Sequence, residues 1–332
     1  MELTKIKSMN SSQPSWRIVR EWDEIIASTL GIKLQNENKL SRFFKWKIIN
    51  KCGLVAFYKK MQISSQKKFL LFTMNAETKP TCYIGKNTIP IIIDFWLTEE
   101  ELPYFYHVYS DVPLALITNM EVFNFLKTHD CPFPIEHWAL SFPDKYALSK
   151  DKLLHKKYDF CFFGRPNPFF VSLLDRYSER HPDFVYILNQ GSIDNRQYVT
   201  NRGEFVAKDS GRLSYLQMMK MTKISCYTTP GVDEAKKETS IYNQITPRLF
   251  EMLCNGIQVI GHYPKDGADV KWYGIENIIP NVDNYEDFEN TLDKFRNENF
   301  DFKCVNNFVS KHYTSQRAIE LIEILAKHNI SL

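Results

Sequence analysis

The sequence predicts an α/β protein made of two Rossmann-like domains. Short apolar runs alternate with amphipathic helical patterns along the chain, which is typical of βα units and parallel sheets. A polar, lysine-rich stretch at 143–157 separates two blocks that each contain several such units. The 332 residues, 44% of them hydrophobic, are enough for two domain cores. We expect a first domain over 1–150, a second over 158–315, and a terminal helix over 316–332 that can cross back to the first.

The first block contains four apolar runs that predict strands, with helical patterns between and before them. The strands are predicted at 67–75, 87–96, 112–119 and 135–142, and the helices at 20–31, 41–61, 98–109 and 120–129. Thr98, followed by three glutamates, indicates a helix start. A hydroxyl can cap the first turn there, and acidic side chains favour the positive end of the helix dipole.

The second block repeats the alternation more regularly. Strands are predicted at 158–164, 184–190, 223–229 and 257–263, and helices at 167–182, 212–221, 247–253, 284–295 and 315–328. Pro168 lies near the first turn of its helix, where its missing N–H costs nothing. This order of elements favours a second parallel sheet with helices around it.

Composition narrows the functional classes. The formal net charge is only +3, so the charge balance does not indicate a nucleic-acid partner. The seven cysteines show no metal-ligand spacing and are expected to be free thiols. The first residues contain no apolar leader segment, and no apolar run is long enough to cross a membrane. We therefore expect a cytoplasmic protein, either soluble or bound at the inner face of the membrane.

The stretch "QITPRLFEMLCNGIQVIG" at 244–261 contains a short helix and a strand. Thr246 and Pro247 are typical of a helix start, and Asn255-Gly256 is typical of a helix end. On a helical wheel Arg248 and Glu251 lie on the side away from the apolar core positions. One interpretation is an exposed ion pair of little energetic value. The other is a ligand site, in which the helix N-terminus and Arg248 bind a diphosphate and Glu251 accepts the hydroxyls of a ribose.

The stretch "YNQITPRLFEMLCNGIQVIG" resembles the donor-site segment of GT-B glycosyltransferases, in particular the bacterial family-1-like group that includes the spore-maturation CgeB-type enzymes. The resemblance covers about 158–315. It implies GT-B architecture, with two Rossmann-like domains facing across a cleft and Glu251 binding the ribose of a nucleotide-sugar. Tyr242, Asn243, Gln244 and Thr246 then lie where the donor sugar or phosphate is expected.

A second segment, "FCFFGRPNP" at 160–168, resembles the strand end of retaining GT-B enzymes whose Gly-Arg reaches the donor diphosphate. Gly164 and Arg165 occupy those positions. The sequence departs from the family pattern in two places. The lysine that follows in many relatives is absent, so Arg248 is the candidate replacement, and Asn243 stands where retaining families have their first glutamate. The stereochemistry of the reaction is therefore left open.

The resemblance implies transfer of a sugar from a UDP- or GDP-sugar to an acceptor hydroxyl, in bacterial surface polysaccharide or glycoconjugate assembly. No cofactor is expected, and no metal, because no Asp-x-Asp occurs in the chain. Two alternatives stay open. One is an inverting fucosyltransferase-like GT-B enzyme using GDP-fucose, whose Thr-Glu-Lys differs from the Thr-Pro-Arg found here. The other is a nucleotide- or glycan-binding protein that kept the fold without turnover.

The first block supplies candidates for catalysis and for the acceptor, a glycan or a lipid-linked sugar. Asp94, at the end of an apolar strand, is a candidate general base, and His107 is a weaker one. The segment 39–68 carries nine lysines and arginines among aromatic residues and contains no acidic residue. It predicts either peripheral contact with an anionic membrane or a core-facing helix with a solvated basic face.

Overall fold

The computed structural model of the 332-residue chain consists of two compact units. It describes residues 1–9, 16–61, 64–153, 156–191, 197–209, 211–233 and 242–332, apart from the side chains of Lys39 and Trp46. The first unit comprises Met1–Asp144, Asp233–Gln244 and Tyr313–Leu332, and the second comprises Lys145–Val232 and Ile245–His312. Asp233 and the residues from Tyr242 to Gln244 therefore belong to the first unit, although the sequence predicts them in the second domain.

The first unit is built on a six-stranded parallel sheet with the order β2-β1-β3-β4-β5-β6. Its strands are β1 Glu2–Ser8, β2 Lys33–Asn36, β3 Lys67–Asn75, β4 Thr88–Asp94, β5 Ala115–Ile117 and β6 Ile135–His137. The first two were not predicted. In "ELTKIKS" only Leu3 and Ile6 are apolar, and these two are fully buried against the helices of one face. A strand with three charged residues in seven lacks the continuous apolar pattern of a central parallel strand.

Helices cover both faces of this sheet. They are α1 Trp16–Leu30, α2 Lys39–Phe43, a π-helix Phe44–Asn50, α3 Val55–Met61, α4 Leu102–Tyr109, α5 Met120–Thr128 and α12 Thr314–Lys327. Helix α1 packs against α12, and their apolar faces share one core with β1, β3 and β4. The predicted terminal helix is thus part of the first unit, where the Trp138 indole donates a hydrogen bond to the carbonyl of Arg317. Helices α4 and α5 pack on the opposite face.

The second unit contains a mixed six-stranded sheet with the order β10-β9-β8-β7-β11-β12. Its strands are β7 Tyr158–Cys161, β8 Tyr186–Gln190, β9 Gln197–Thr200, β10 Phe205–Lys208, β11 Thr222–Thr228 and β12 Gln258–His262. Four strands are parallel, while β9 and β10 add an antiparallel edge. That edge was not predicted, because both strands have only four residues and follow polar sequence.

The helices of the second unit are α6 Pro168–Arg180, α7 Arg212–Met221, α8 Pro247–Cys254, α9 Ala268–Tyr273, α10 Tyr285–Asn297 and α11 Phe302–Val309. Helices α6 and α10 supply buried aromatic and leucine side chains to one core. Cys161 in β7 and Cys226 in β11 are buried free thiols.

Strand order indicates where each sheet can bind a ligand. In an open α/β sheet, the crevice lies outside the carboxyl ends of two strands whose connections run to opposite sides. In the second unit those strands are β7 and β11, since β7 leads to β8 and β11 leads to β12 on the other side. In the first unit the corresponding pair is β1 and β3. Within the described ranges, no helix has both the length and the apolarity needed to cross a membrane.

Candidate functional site

Gly164 and Arg248 meet at the carboxyl end of β7. Gly164 follows that strand with φ +83°, in the left-handed region that favours glycine. A Cβ placed on Gly164 would lie 2.4 Å from the Cζ of Arg248 and 2.6 Å from its Nη1. The guanidinium therefore lies directly against the glycine backbone. Both residues are candidates from the sequence motifs, and the structure brings them together.

Tyr215 of α7 completes the environment of this arginine. Its ring meets Phe163 edge to face at 5.6 Å, and its hydroxyl lies within the electrostatic influence of the Arg248 guanidinium. Burial raises the pKa of Tyr215, and the nearby charge of Glu251 raises it further, while Arg248 and Arg212 oppose the shift. The tyrosine thus stays protonated beside Arg248, which is itself exposed.

Glu251 is buried, which corrects the helical-wheel prediction. Its carboxylate accepts a hydrogen bond from Arg212 Nη1 at 2.6 Å, and the two side chains are only 8% and 15% exposed. Met252 and Asn255, which follow Glu251 at the end of the same helix, are buried as well. A helical wheel predicts burial on a single apolar face. Helix α8 is instead covered on several sides, because it packs against β12 and also against α7 and α11. The interpretation as an exposed Arg248–Glu251 pair is therefore wrong.

Arg212, at the start of α7, is a site residue that the sequence analysis missed. Its guanidinium lies 5.2 Å from the centroid of the Tyr146 ring as well as against Glu251. It is separated from Glu251 by 39 positions along the chain. No local spacing can signal that pair, because it depends on how α7 docks beside α8.

The N-terminus of α8 is fixed by buried polar contacts. The backbone N–H of Thr246 donates to the Tyr227 hydroxyl at 2.9 Å, and that of Ile245 donates to Asp269 at 2.9 Å. Thr246 is the N-cap residue and Pro247 the first helical residue, as predicted, and Gly256 ends the helix with φ +70°. Within the described part of the chain, the Thr246 side chain makes no capping hydrogen bond to the helix. Its hydroxyl lies 3.4 Å from that of Tyr227 instead.

Arg165 follows Gly164 and is exposed. Its side chain makes no hydrogen bond or ion pair with another described residue. It follows the same strand end that carries the Gly164–Arg248 contact, on the loop before α6. A cation so placed can bind an anionic ligand without breaking an internal contact.

Three predicted donor-loop residues belong to the first unit. Tyr242 is buried between Phe95 and Phe125, with ring centroids 5.9 and 5.6 Å apart, and burial raises its pKa to about 12. The backbone N–H of Asn243 donates to Glu121 Oε2 at 2.7 Å. The Tyr242 ring is thus a core side chain of the first unit.

Gln244 is anchored in the same way. Its Nε2 donates to the carbonyl of Ile93 at 3.0 Å and to the hydroxyl of Thr118 at 2.8 Å. The side chains of Tyr242 and Gln244 are therefore held by the first unit, while the glutamate, arginines and glycine of the motif lie in the second. The boundary between the two units falls between Gln244 and Ile245, so the predicted donor-loop residues and Thr246 belong to different units.

Asp94 ends β4, next to Asn75 at the end of β3. Burial raises its pKa to about 6, and its carboxylate makes no hydrogen bond or ion pair with another residue of the described ranges. His107 is exposed in the last turn of α4. This end of the helix leads to the amino end of β5, on the opposite edge of the sheet from Asp94. The structure therefore places Asp94, but not His107, at the carboxyl edge of the sheet. Among the described residues, no group of three or more potential ligands could hold a metal ion.

The fold of the chain is GT-B, as predicted, and two solved structures show it. A sucrose-phosphate synthase from Thermosynechococcus elongatus matches with a TM-score of 0.53 at 8% identity, over 98% of this chain and 99% of that one. An α,α-trehalose-phosphate synthase (UDP-forming) from Burkholderia vietnamiensis matches with a TM-score of 0.52 at 8% identity, over 94% of this chain and 87% of that one.

A third similarity, to the GtfA/B complex, has a TM-score of 0.49 at 10% identity and covers 83% of this chain. This chain spans 60% of the length of that one. No family model matches the sequence, and no curated protein matches it.

Proposed function

We propose that the protein is a glycosyltransferase that transfers a sugar from a nucleotide-sugar to an acceptor hydroxyl. One observation carries the proposal. A carboxylate held by an arginine, Glu251 with Arg212, lies on the same helix as Arg248, which rests on the glycine at the end of β7. These residues lie at the edge of the second unit's sheet where the strand order favours a ligand, which supports the proposal.

The donor diphosphate would bind to Arg248, Arg165 and the N-terminus of α8. The two guanidinium groups present forked donors to phosphate oxygens, and the helix dipole favours negative charge. During transfer the leaving nucleotide gains charge on its terminal phosphate. The two arginines and the backbone N–H groups can stabilise that charge without a metal ion. The donor is a UDP- or GDP-sugar in this proposal.

The ribose would bind to Glu251. A carboxylate accepts hydrogen bonds only, and a ribose cis-diol offers two donors. Arg212 binds Oε1 of the carboxylate, so the ion pair fixes its orientation and offsets the cost of burying its charge. Arg212 is thus a positioning residue for the ribose acceptor.

Asp94 is the general base in this proposal, acting on an acceptor hydroxyl held by the first unit. With a pKa of about 6 it is mostly ionised at neutral pH and still basic enough to accept a proton. The acceptor is a glycan or a lipid-linked sugar, and assembly of a bacterial surface polysaccharide or glycoconjugate is the corresponding role. The kinship with CgeB-type enzymes stays a prediction.

Nucleotide binding and turnover test the proposal separately. Calorimetry with UDP, GDP and CMP should show binding of UDP or GDP. Glu251→Gln should weaken that binding, whereas the control variant Glu286→Gln, at an exposed residue of α10, should leave it unchanged. Free nucleotide should then be released from the matching nucleotide-sugar when acceptor is added, with or without EDTA. If the protein binds a nucleotide but releases no free nucleotide from any member of a panel of UDP-, GDP- and CMP-sugars, the non-catalytic alternative is favoured. No nucleotide binding at all would refute the donor site.

A further inference from the structure

The first unit carries an unusual surface formed by residues 40–61, here called the basic apolar surface. It consists of the end of α2, the π-helix and α3. We propose that this surface docks the protein on a membrane containing anionic lipid. The inference does not rest on the donor site, which belongs to the second unit.

Large apolar side chains point outward along this surface. Their exposure is 46–78%, and they are Leu40, Phe43, Phe44, Leu54, Phe57 and Met61. Twelve large apolar side chains in the described part of the chain exceed 45% exposure, and half of them lie in these 22 positions. Their spacing of three and four residues puts them on common helix faces. A patch this concentrated indicates an interaction surface rather than scattered exposed residues.

The inner side of the same segment is anchored to the unit. Ile49 and Val55 are buried in a small cluster with Cys82. The Asn50 side chain accepts a hydrogen bond from the backbone N–H of Cys82 at 3.2 Å. The segment thus has a defined core-facing side, and the apolar residues on its outer side have no place in that core.

The charges of the surface select the partner. Lys45 pairs with Glu37 at 3.1 Å, and Lys59 donates to the carbonyl of Val108, so these two lysines turn inward. Lys47, Lys51 and Lys60 remain exposed among the apolar side chains. No acidic residue occurs between 38 and 76. Apolar side chains that can enter the headgroup region, interleaved with lysines in a segment that itself contains no acidic residue, fit an anionic phospholipid surface.

Vesicle co-sedimentation of the full chain tests the proposal. We expect binding to phosphatidylcholine vesicles containing about 30% phosphatidylglycerol, and little binding to phosphatidylcholine alone, because the lysines need anionic headgroups. Raising NaCl to about 0.5 M should weaken binding by screening the charges. Equal binding to both vesicle types, or none to either, would overturn the proposal.

Matched variants locate the surface. Leu54→Ser with Phe57→Ser should reduce the vesicle partition coefficient by about tenfold or more, because the variant loses two apolar side chains that the bound protein would bury in the headgroup region. The control is Phe205→Ser with Leu213→Ser, two side chains of the second unit that are 66% and 81% exposed. It should bind vesicles as the parent does. An equal loss in the control pair would refute the assignment of the surface.

A charge pair completes the test. Lys47→Glu with Lys51→Glu should abolish the preference for anionic vesicles, whereas Lys303→Glu with Lys311→Glu, at exposed lysines of the second unit, should leave it. Circular dichroism and UDP or GDP affinity should be unchanged in all four variants, which separates this proposal from the donor site. If the Leu54/Phe57 variant instead dissociates a dimer seen by light scattering without changing vesicle binding, the surface binds protein and the proposal fails.

Discussion

Removing Arg212 should destabilise the second unit and weaken nucleotide binding, although Arg212 does not contact the nucleotide in the proposed site. The Arg212 and Glu251 side chains are 15% and 8% exposed, and their charged atoms are 2.6 Å apart. With an effective dielectric constant of about 20, their Coulomb attraction is about 6 kcal/mol. That attraction offsets the desolvation of both charges, so the intact pair adds little net stability.

Breaking the pair from one side leaves a buried charge. Arg212→Leu should therefore lower the unfolding free energy by about 3–5 kcal/mol. The double variant Arg212→Leu with Glu251→Leu should recover most of that loss, because no unpaired charge remains. The exposed pair Arg180–Glu289, 3.2 Å apart with 55% and 21% exposure, is the matched control. Arg180→Leu should cost less than about 1 kcal/mol.

Urea unfolding monitored by circular dichroism measures these stabilities, and calorimetry with UDP or GDP measures binding in the same variants. Glu251→Gln should weaken nucleotide binding by about 1.5–3 kcal/mol, the scale of a hydrogen bond to a charged group. The reasoning is refuted if Arg212→Leu costs no more than Arg180→Leu, or if the double variant is no more stable than Arg212→Leu. Unchanged nucleotide affinity in Glu251→Gln would remove the ribose assignment alone.

Three further predictions concern single groups. Gly164→Ala should weaken nucleotide binding, because its Cβ would lie 2.4 Å from the Cζ of Arg248. Gly203→Ala is the control: this glycine also has φ +83°, but a Cβ there would meet no other described residue within 4 Å, so the variant should lose only about 1–2 kcal/mol of stability. Equal nucleotide affinity of the two variants in calorimetry would contradict this prediction. Activity should fall below about pH 6 as Asp94 is protonated, and a pH–rate profile with no acidic limb near its pKa of about 6 would exclude it as the base. Burial raises the pKa of Asp23 from 3.8 to about 7. Keeping this carboxyl buried therefore costs no stability below about pH 4, where it is protonated in both the folded and the unfolded chain, and its full cost is reached above about pH 7. Asp23→Asn should therefore be more stable than the parent by up to about 4 kcal/mol at pH 8 and equal to it at pH 4 in thermal unfolding, and equal stability at both values would contradict the assignment.

Much of the fold could be predicted from sequence because its strands and helices carry local signals. Strand β3 and helix α7 occupy the predicted ranges, and α8 begins at the predicted Pro247. Such elements have a clear apolar period or a recognisable start, and both depend only on neighbours in the chain. Strand β1 carries neither, because its two apolar residues are separated by two polar ones.

The candidate site was predictable only where its residues share one element. Gly164 with Arg165, and Arg248 with Glu251, each lie within a few positions of one another, and a motif can carry them together. Arg212 could not be found that way, since its role follows from the docking of α7 beside α8. The burial of Glu251 depends on the same packing. Helical periodicity reports one apolar face, and it cannot show that a polar residue is covered by a second helix.

The burial of Glu251 also determines how strongly its carboxylate can contribute to ligand binding. An exposed carboxylate would contribute little to binding, because water competes for each hydrogen bond. A carboxylate that is 8% exposed and held at 2.6 Å by Arg212 is already desolvated and oriented before any ligand arrives. A carboxylate held in this way can bind ribose hydroxyls without a further ordering cost. The ion pair therefore links the packing of two helices to ligand selection, and any substitution that moves α7 should alter nucleotide affinity even when it lies far from the nucleotide.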